Sequence, residues 1–290
     1  MHPTKKIRQT DSVAFLGPKG TFSYECATQV FGDAEYVPCQ SIAKVLETVQ
    51  TNKADYGIVP FENSTFGTVL QTLDFFVNTK HANDSDQPHG FVILDQHYLT
   101  VHHNLLGQDT ELDRIERVYS HPEALGQCSK WLDKHLPKAN RVPVGSTAQA
   151  AEKAKQDRTA AGISSIACAD IFGLHVIEKD IENLANNTTR FFVIGKKVRQ
   201  PTKNDGTLVM FTLNHDQPGS LCDALAIMKD HGINLTKIDS RPSGKGLWHY
   251  MFFMQFDGHM NDDKVKLAMK SFKPKVLDFM IMGSYKKQLQ

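Results

Sequence analysis

The feature that most constrains this chain is a repeated step in which a short apolar run empties into a polar turn and then into a helix. Residues 13–16 (Val-Ala-Phe-Leu) read as a strand, Gly17-Pro18-Lys19-Gly20 as its turn, and Thr21 or Ser23 as the start of a helix. A strand that feeds a helix through glycines builds an α/β unit. The step recurs with a strand at 35–38, a helix from 41 to about 51 with Ile42, Val45, Leu46 and Val49 at helical spacing, and a strand at 56–59. Residues 60–67 then place polar groups before an amphipathic helix bearing Val69, Leu70, Leu73 and Phe76. A third junction carries Ser120, His121 and Pro122, with proline suited to a first helical turn and one helix continuing past Gln127 to Trp131 and Leu132.

Polar clusters at the ends of strands are where open α/β sheets bind ligands. The clearest is Asn186-Asn187-Thr188-Thr189-Arg190, which runs directly into the apolar stretch Phe191-Phe192-Val193. Arg190 offers a planar fork that suits a carboxylate, so an anionic ligand is expected. The helix N-terminus at Thr21 offers free N–H groups for the same purpose. Ser120 either faces the ligand or caps its helix, and Gln127 either faces the ligand or lies at the surface. Phe22 stands where a dinucleotide fingerprint needs its third glycine, and the Gly-Lys-Ser/Thr order of a P-loop is missing, so no nucleotide is implied.

The 33 basic and 32 acidic residues leave a formal charge of +1, with no global field for nucleic acid or an anionic membrane. No signal segment or membrane span is visible, and a cytoplasmic setting is expected. The five cysteines are odd in number and without a C-x-x-C pair, so they read as reduced thiols. Around Asp84 and Asp86, Pro88 and His89 spoil a calcium loop. His97, His102 and His103 lack metal-ligand spacing and read as solvated ends of two strands, at 91–94 and 97–101.

A length of 290 residues suggests more than one domain. Residues 12–78 with 188–198 are read as one lobe of a cleft and 90–180 as the other. Residues 196–206, basic and poor in apolar anchors, read as a linker. The order beyond it is strand, helix, strand, strand, helix, strand, the βαββαβ ferredoxin-like plan.

Gly17-Pro-Lys-Gly-Thr-Phe-Ser23, Val59-Pro-Phe-Glu-Asn-Ser64, Ser120-His-Pro122 with Gln127, Ser146-Thr-Ala148 and Asn187-Thr-Thr-Arg-Phe191 together carry a resemblance. Residues 12–285 resemble a monofunctional prephenate dehydratase with a C-terminal ACT domain. In the second domain Pro218-Gly219-Ser220-Leu221 is similar to the family's Gly-Ala-Leu-Val effector motif, and Asp239-Ser240-Arg241-Pro242 to its Glu-Ser-Arg-Pro motif. Ser220, Cys222, Asp239 and Glu123 depart from the usual residues, which bears on effector affinity more than on activity.

The resemblance implies a two-lobed, periplasmic-binding-protein-like catalytic domain at 12–198 and an ACT regulatory domain at 206–285. It implies removal of carbon dioxide and the ring hydroxyl from prephenate to give phenylpyruvate, without cofactor or metal. Thr189 becomes the implied proton donor, with Ser120, Asn63 and Gln127 completing a catalytic wall. Arg190, Thr21, Ser23, Glu62, Ser64 and Phe191 are implied to bind substrate. The effector would be L-phenylalanine, acting at the two ACT motifs in a homodimer or homotetramer. An arogenate dehydratase would use the same lobes and chemistry. A non-catalytic amino-acid sensor is the other reading, and the full set of cleft motifs counts against it.

Overall fold

The computed structural model describes residues 11–82, 90–109 and 111–288; the segment around Asp84 and Asp86 lies outside the described residues. The first junction forms as the sequence suggests. Strand β1 (Ser12–Leu16) ends at the glycine turn, and Thr21 caps α1 (Phe22–Phe31) by accepting a bond from the Tyr24 amide. Strand β2 (Glu35–Cys39) lies parallel to β1, and α2 (Ile42–Gln50) follows.

Strand β3 (Tyr56–Asn63) outruns the strand read at 56–59 and closes a hairpin with β4 (Gly67–Thr68). The cause is Asn63, whose side-chain oxygen accepts from the backbone amides of Thr65 and Phe66 and so builds a local turn. Helix α3 (Leu70–Ala82) leads to β5 (Val92–Thr100), one strand where the sequence suggests two. Asp95 and Gln96 look like a break but are absorbed, because Asp95 pairs with Arg199 and the Gln96 carbonyl accepts from Gln288.

The chain continues through β6 (Asn104–Gly107), β7 (Arg117–Ser120), α4 (Pro122–Gln127), α5 (Ser129–His135) and β8 (Asn140–Pro143). Then come α6 (Thr147–Gln156), β9 (Ala160–Ser164), α7 (Ala167–Phe172), β10 (His175–Glu178) and β11 (Thr188–Gly195). The single helix expected beyond Pro122 is split at Cys128. Asn183 supplies the reason: its amide N–H and side-chain NH2 donate to the carbonyls of Gln127 and Gly126, and its side-chain oxygen accepts from the Lys130 amide. A side chain inserted into the helical ladder satisfies groups that the next turn would otherwise use.

The last elements are β12 (Asp205–Thr212), α8 (Ser220–Asp230), β13 (Leu235–Pro242), β14 (Tyr250–Asp257), α9 (Asp263–Phe272) and β15 (Asp278–Lys286). This is the expected βαββαβ order. Among the described residues no helix is long and apolar enough to cross a membrane.

Contacts group the chain into two compact units. One comprises residues 1–45, 58–68 and 98–191, and the other 46–57, 69–97 and 192–290. The first unit holds two sheets, with strand orders β11-β3-β1-β2 and β10-β6-β9-β7-β8. Gly20 joins the first turn to α7: its carbonyl accepts from Ser165 Oγ at 3.0 Å and Cys168 Sγ at 3.1 Å. At φ +92°, with Cys168 Sγ 2.5 Å from where a Cβ would sit, no other residue fits there.

In the second unit the order is β13-β14-β12-β15-β5, with β12 antiparallel to both β14 and β15. One face packs on α8 and α9 through Val209, Phe211, Phe256 and Phe272. The other face is covered too: Phe253 meets Phe76 of α3, and Arg241 of β13 grips Asp74 of α3 at 2.6 and 3.0 Å. Every residue of β12 is buried, which matches its unbroken run Thr-Leu-Val-Met-Phe-Thr and two-faced coverage. Segments 46–57 and 69–97 thus share a compact unit with the residues that follow 191.

Candidate active site

The end of β3 and the start of β11 come together within the first unit. Ser64 N donates to the Thr188 carbonyl at 2.9 Å and Ser64 Oγ accepts from Thr188 N at 2.9 Å. This stitch brings Asn63 beside Thr189. From there a chain of side chains reaches α4, at the end of the other sheet. Asn63 Nδ2 donates to Thr189 Oγ1 at 3.0 Å and to Asn187 Oδ1 at 2.7 Å. Asn187 Nδ2 donates to Gln127 Oε1 at 3.0 Å, which also receives a bond from His103 Nε2 at 2.7 Å.

The direction of every bond in this chain follows from two backbone amides. The N–H groups of Thr65 and Phe66 can only donate, so the Asn63 atom they meet is its oxygen. Asn63 therefore presents its NH2 group to Thr189 and Asn187. The Asn187 atom that accepts is then its oxygen, its NH2 meets the Gln127 oxygen, and His103 must carry its proton on Nε2. Burial, the largest influence, holds the His103 imidazole below its ordinary pKa, against the Gln127 bond and Glu182, which act to raise it. The ring is neutral near pH 7.

Thr189 gains its chemistry from this order. Its oxygen accepts from Asn63, so its own proton is directed elsewhere. A cavity of about 370 Å³ adjoins the network, with Gln127, Asn187, Thr65, Phe66, Glu182 and Leu184 in its wall. Phe66 and Leu184 are exposed and add apolar surface at polar walls, the usual make-up of a small-molecule site.

Of the residues singled out from sequence, Thr189, Asn63 and Gln127 meet, and Ser64 holds their strands in register. Glu62 and Arg190 meet each other, at 3.0 Å, and the guanidinium lies 4.9 Å from the Phe61 ring centre. Arg190 therefore already has a carboxylate partner. Ser120 sits fully buried at the end of β7 and donates to the Ile163 carbonyl at 2.8 Å, outside the network. It is not the N-cap either, a position taken by His121. Thr21 spends its hydroxyl on the turn carbonyls of Leu16 and Pro18, Ser23 is buried in α1, and Phe191 is a core residue of β11.

Sequence reasoning missed two members. Asn187 bridges Asn63 to Gln127, and its only signal is its place in the Asn-Thr-Thr-Arg run. His103, read as a solvated strand end, is buried at 3% exposure with its ring edge-on to Phe22. Its neighbour His102 is exposed, as read. His102 Nδ1 lies 2.9 Å from Glu182 and 3.4 Å from Asp180, three groups whose potential ligand atoms fall within 4.8 Å of one another. All five cysteines are free thiols, four buried and Cys222 exposed.

The ACT-like motifs lie in the second unit. Gly219, at φ 84°, precedes α8, and Ser220 Oγ donates to the Gln217 carbonyl at 2.8 Å, while Leu221 packs on the α8–α9 core. Pro218 is exposed. Asp239, Ser240, Arg241 and Pro242 close β13, with Pro242 opposite Tyr250 of β14. The Tyr250 amide in turn donates to His215 Nε2 at 3.3 Å, which ties the end of β14's leading loop to the turn before Pro218.

Comparison with known proteins agrees with this layout. The family model described as "Prephenate dehydratase" matches residues 13–199, and the one described as "ACT domain" matches 207–273. A "Bifunctional chorismate mutase/prephenate dehydratase" of Aquifex aeolicus is 41% identical over 98% of this chain and 75% of its own length. A "Prephenate dehydratase" of Methanocaldococcus jannaschii is 35% identical over 94% of this chain and 97% of its own. The solved prephenate dehydratase of Arthrobacter aurescens, in complex with L-Phe, has a TM-score of 0.85 at 33% identity and covers 95% of this chain and 90% of its own. With more than half of its length matched by one family model and an ACT model matched beyond it, the chain belongs to the prephenate dehydratase family and carries an ACT domain.

Proposed function

We propose that this chain converts prephenate to phenylpyruvate with loss of carbon dioxide and water, and that L-phenylalanine regulates it through the ACT domain. The observation that carries the first part is the orientation of Thr189, an acceptor towards Asn63 whose own proton is left for another partner, in a network whose Gln127 and Asn187 line the cavity. The departing carboxylate supplies the electrons that form the aromatic ring, so no general base is required. What the reaction needs is a hydrogen-bond donor at the leaving hydroxyl and a ring held in a reactive pose.

A threonine hydroxyl is a weak acid, so its contribution is a positioned donor whose effect is electrostatic and greatest when charge develops on the leaving oxygen. Asn63 fixes that donor. Gln127 and Asn187 line the cavity and orient the substrate's polar groups, and Arg190, with Glu62 as resting partner, is the cation for the pyruvyl carboxylate. Leaving the ring carboxylate in less polar surroundings favours its loss, because a tight grip on it would stabilise the ground state more than the transition state, where its charge disperses. Purified protein given prephenate should release phenylpyruvate at a rate far above the spontaneous one; no release would overturn this reading.

We place the catalytic domain at 12–198 and the regulatory domain at 206–285, in a cytoplasmic homodimer or homotetramer. The free thiols support a reducing compartment. The turn at Pro218–Leu221 precedes α8, whose backbone N–H groups suit an effector carboxylate. Arg241 of the second motif grips Asp74 of α3, the helix that directly follows the β3–β4 hairpin, which offers a route by which effector binding could act on the site. Millimolar phenylalanine should lower the activity of the whole protein and raise its melting temperature. Activity indifferent to phenylalanine would sink the regulatory part and leave the catalytic part standing.

A further inference from the structure

We infer that His103 is a positioning residue for the dehydration, acting through Gln127. Its ring donates from Nε2 to Gln127 Oε1 at 2.7 Å, and that oxygen also takes the Asn187 bond at 3.0 Å. With both bonds at the oxygen, the Gln127 NH2 group is turned away from the protein chain of bonds. It makes no hydrogen bond among the described residues, and Gln127 lines the cavity. His103 thus converts a side chain of two-fold ambiguity into a donor aimed at substrate.

The imidazole is itself held on several sides. Its backbone N–H donates to Glu182 Oε2 at 2.9 Å, its carbonyl accepts from the Ile181 amide at 2.9 Å, and its ring meets the edge of Phe22. Two residues along the chain, the Val101 amide donates to the Asn187 carbonyl at 2.8 Å. The segment 101–103 therefore supports both amides that face the cavity, one through its backbone and one through a ring. A ring that only filled space would not need a donor on Nε2, and this one is fixed by the order of the whole network.

The inference rests on the proposed reaction, and its test separates the two. His103→Phe keeps a ring and removes the donor. It should lower kcat roughly fivefold to tenfold, about what one net hydrogen bond contributes, with KM changed less than about threefold. His103→Gln, whose side-chain amide nitrogen can reach the same oxygen, should recover most of that loss. In a Gln127→Ala background His103→Phe should cost nothing further, because the residue it acts through is gone. Unchanged kcat in His103→Phe, or an equal fall in both backgrounds, would overturn the inference. Nitrogen NMR of 15N-histidine-labelled wild-type protein needs neither substrate nor a folded variant. It should show His103 protonated on Nε2 with Nδ1 bare, and the opposite tautomer would overturn the inference even if the protein dehydrates prephenate.

Discussion

Thr189→Ala should lower kcat on prephenate by about 10² or more while KM moves by less than about threefold, the signature of an interaction made in the transition state. In the ground state the leaving hydroxyl is well served by any polar neighbour. As its bond to the ring lengthens, charge gathers on that oxygen, and only then does a pre-aimed donor gain over a mobile one. Thr189 is pre-aimed by the 3.0 Å bond from Asn63 and by the stiffness of a β-branched side chain on a strand. Thr189→Ser keeps the hydroxyl and loses the stiffness, so its kcat should fall between the two. The check is steady-state release of phenylpyruvate from folded variants. A Thr189→Ala protein with near-normal kcat would move the donor elsewhere, and Ser120 is poorly placed to inherit the task because its hydroxyl is already spent on Ile163.

Asn63→Asp should be nearly as damaging, for a reason of direction rather than size. The turn needs an oxygen at this position to accept from Thr65 and Phe66, and aspartate provides it, so the hairpin should survive. The other oxygen replaces the NH2 group. A carboxylate cannot donate to Thr189, and instead becomes the best acceptor in reach for the Thr189 proton. It also faces Asn187 Oδ1 without a hydrogen between them. The expected fall in kcat is again about 10², with a folded protein of little-changed melting temperature. Combining Asn63→Asp with Thr189→Ala should add little to either alone, since both remove the same donor. Additive losses would show that Asn63 acts on the substrate independently of Thr189.

The alternation of short apolar runs with helical spacing was enough to place β1, α1, β2 and α2, and the βαββαβ order after residue 204. Those signals are local: each element's periodicity records which of its own faces is buried. The polar clusters at strand ends were visible for the same reason, because Asn63 and Thr189 stand where an apolar run stops or starts. The split of the helix at Cys128 was invisible because its cause, Asn183, lies far along the chain. The single strand β5 was hidden by Asp95, which looks like a break until Arg199 is seen to neutralise it. The burial of β12 on both faces was written in its unbroken apolar run, yet what covers the second face, α3, could not be read from it.

Local periodicity and composition therefore carried the α/β class, the order of elements and the identity of the polar groups offered at the strand ends. Which of those groups meet, and which way their protons point, came from folding alone. Asn63 and Thr189 are 126 positions apart, and Gln127, on α4, and His103, in the connection before β6, are 24 apart. The direction of an amide or the tautomer of an imidazole is set by its partners, and partners brought together by folding leave no periodic trace in either segment.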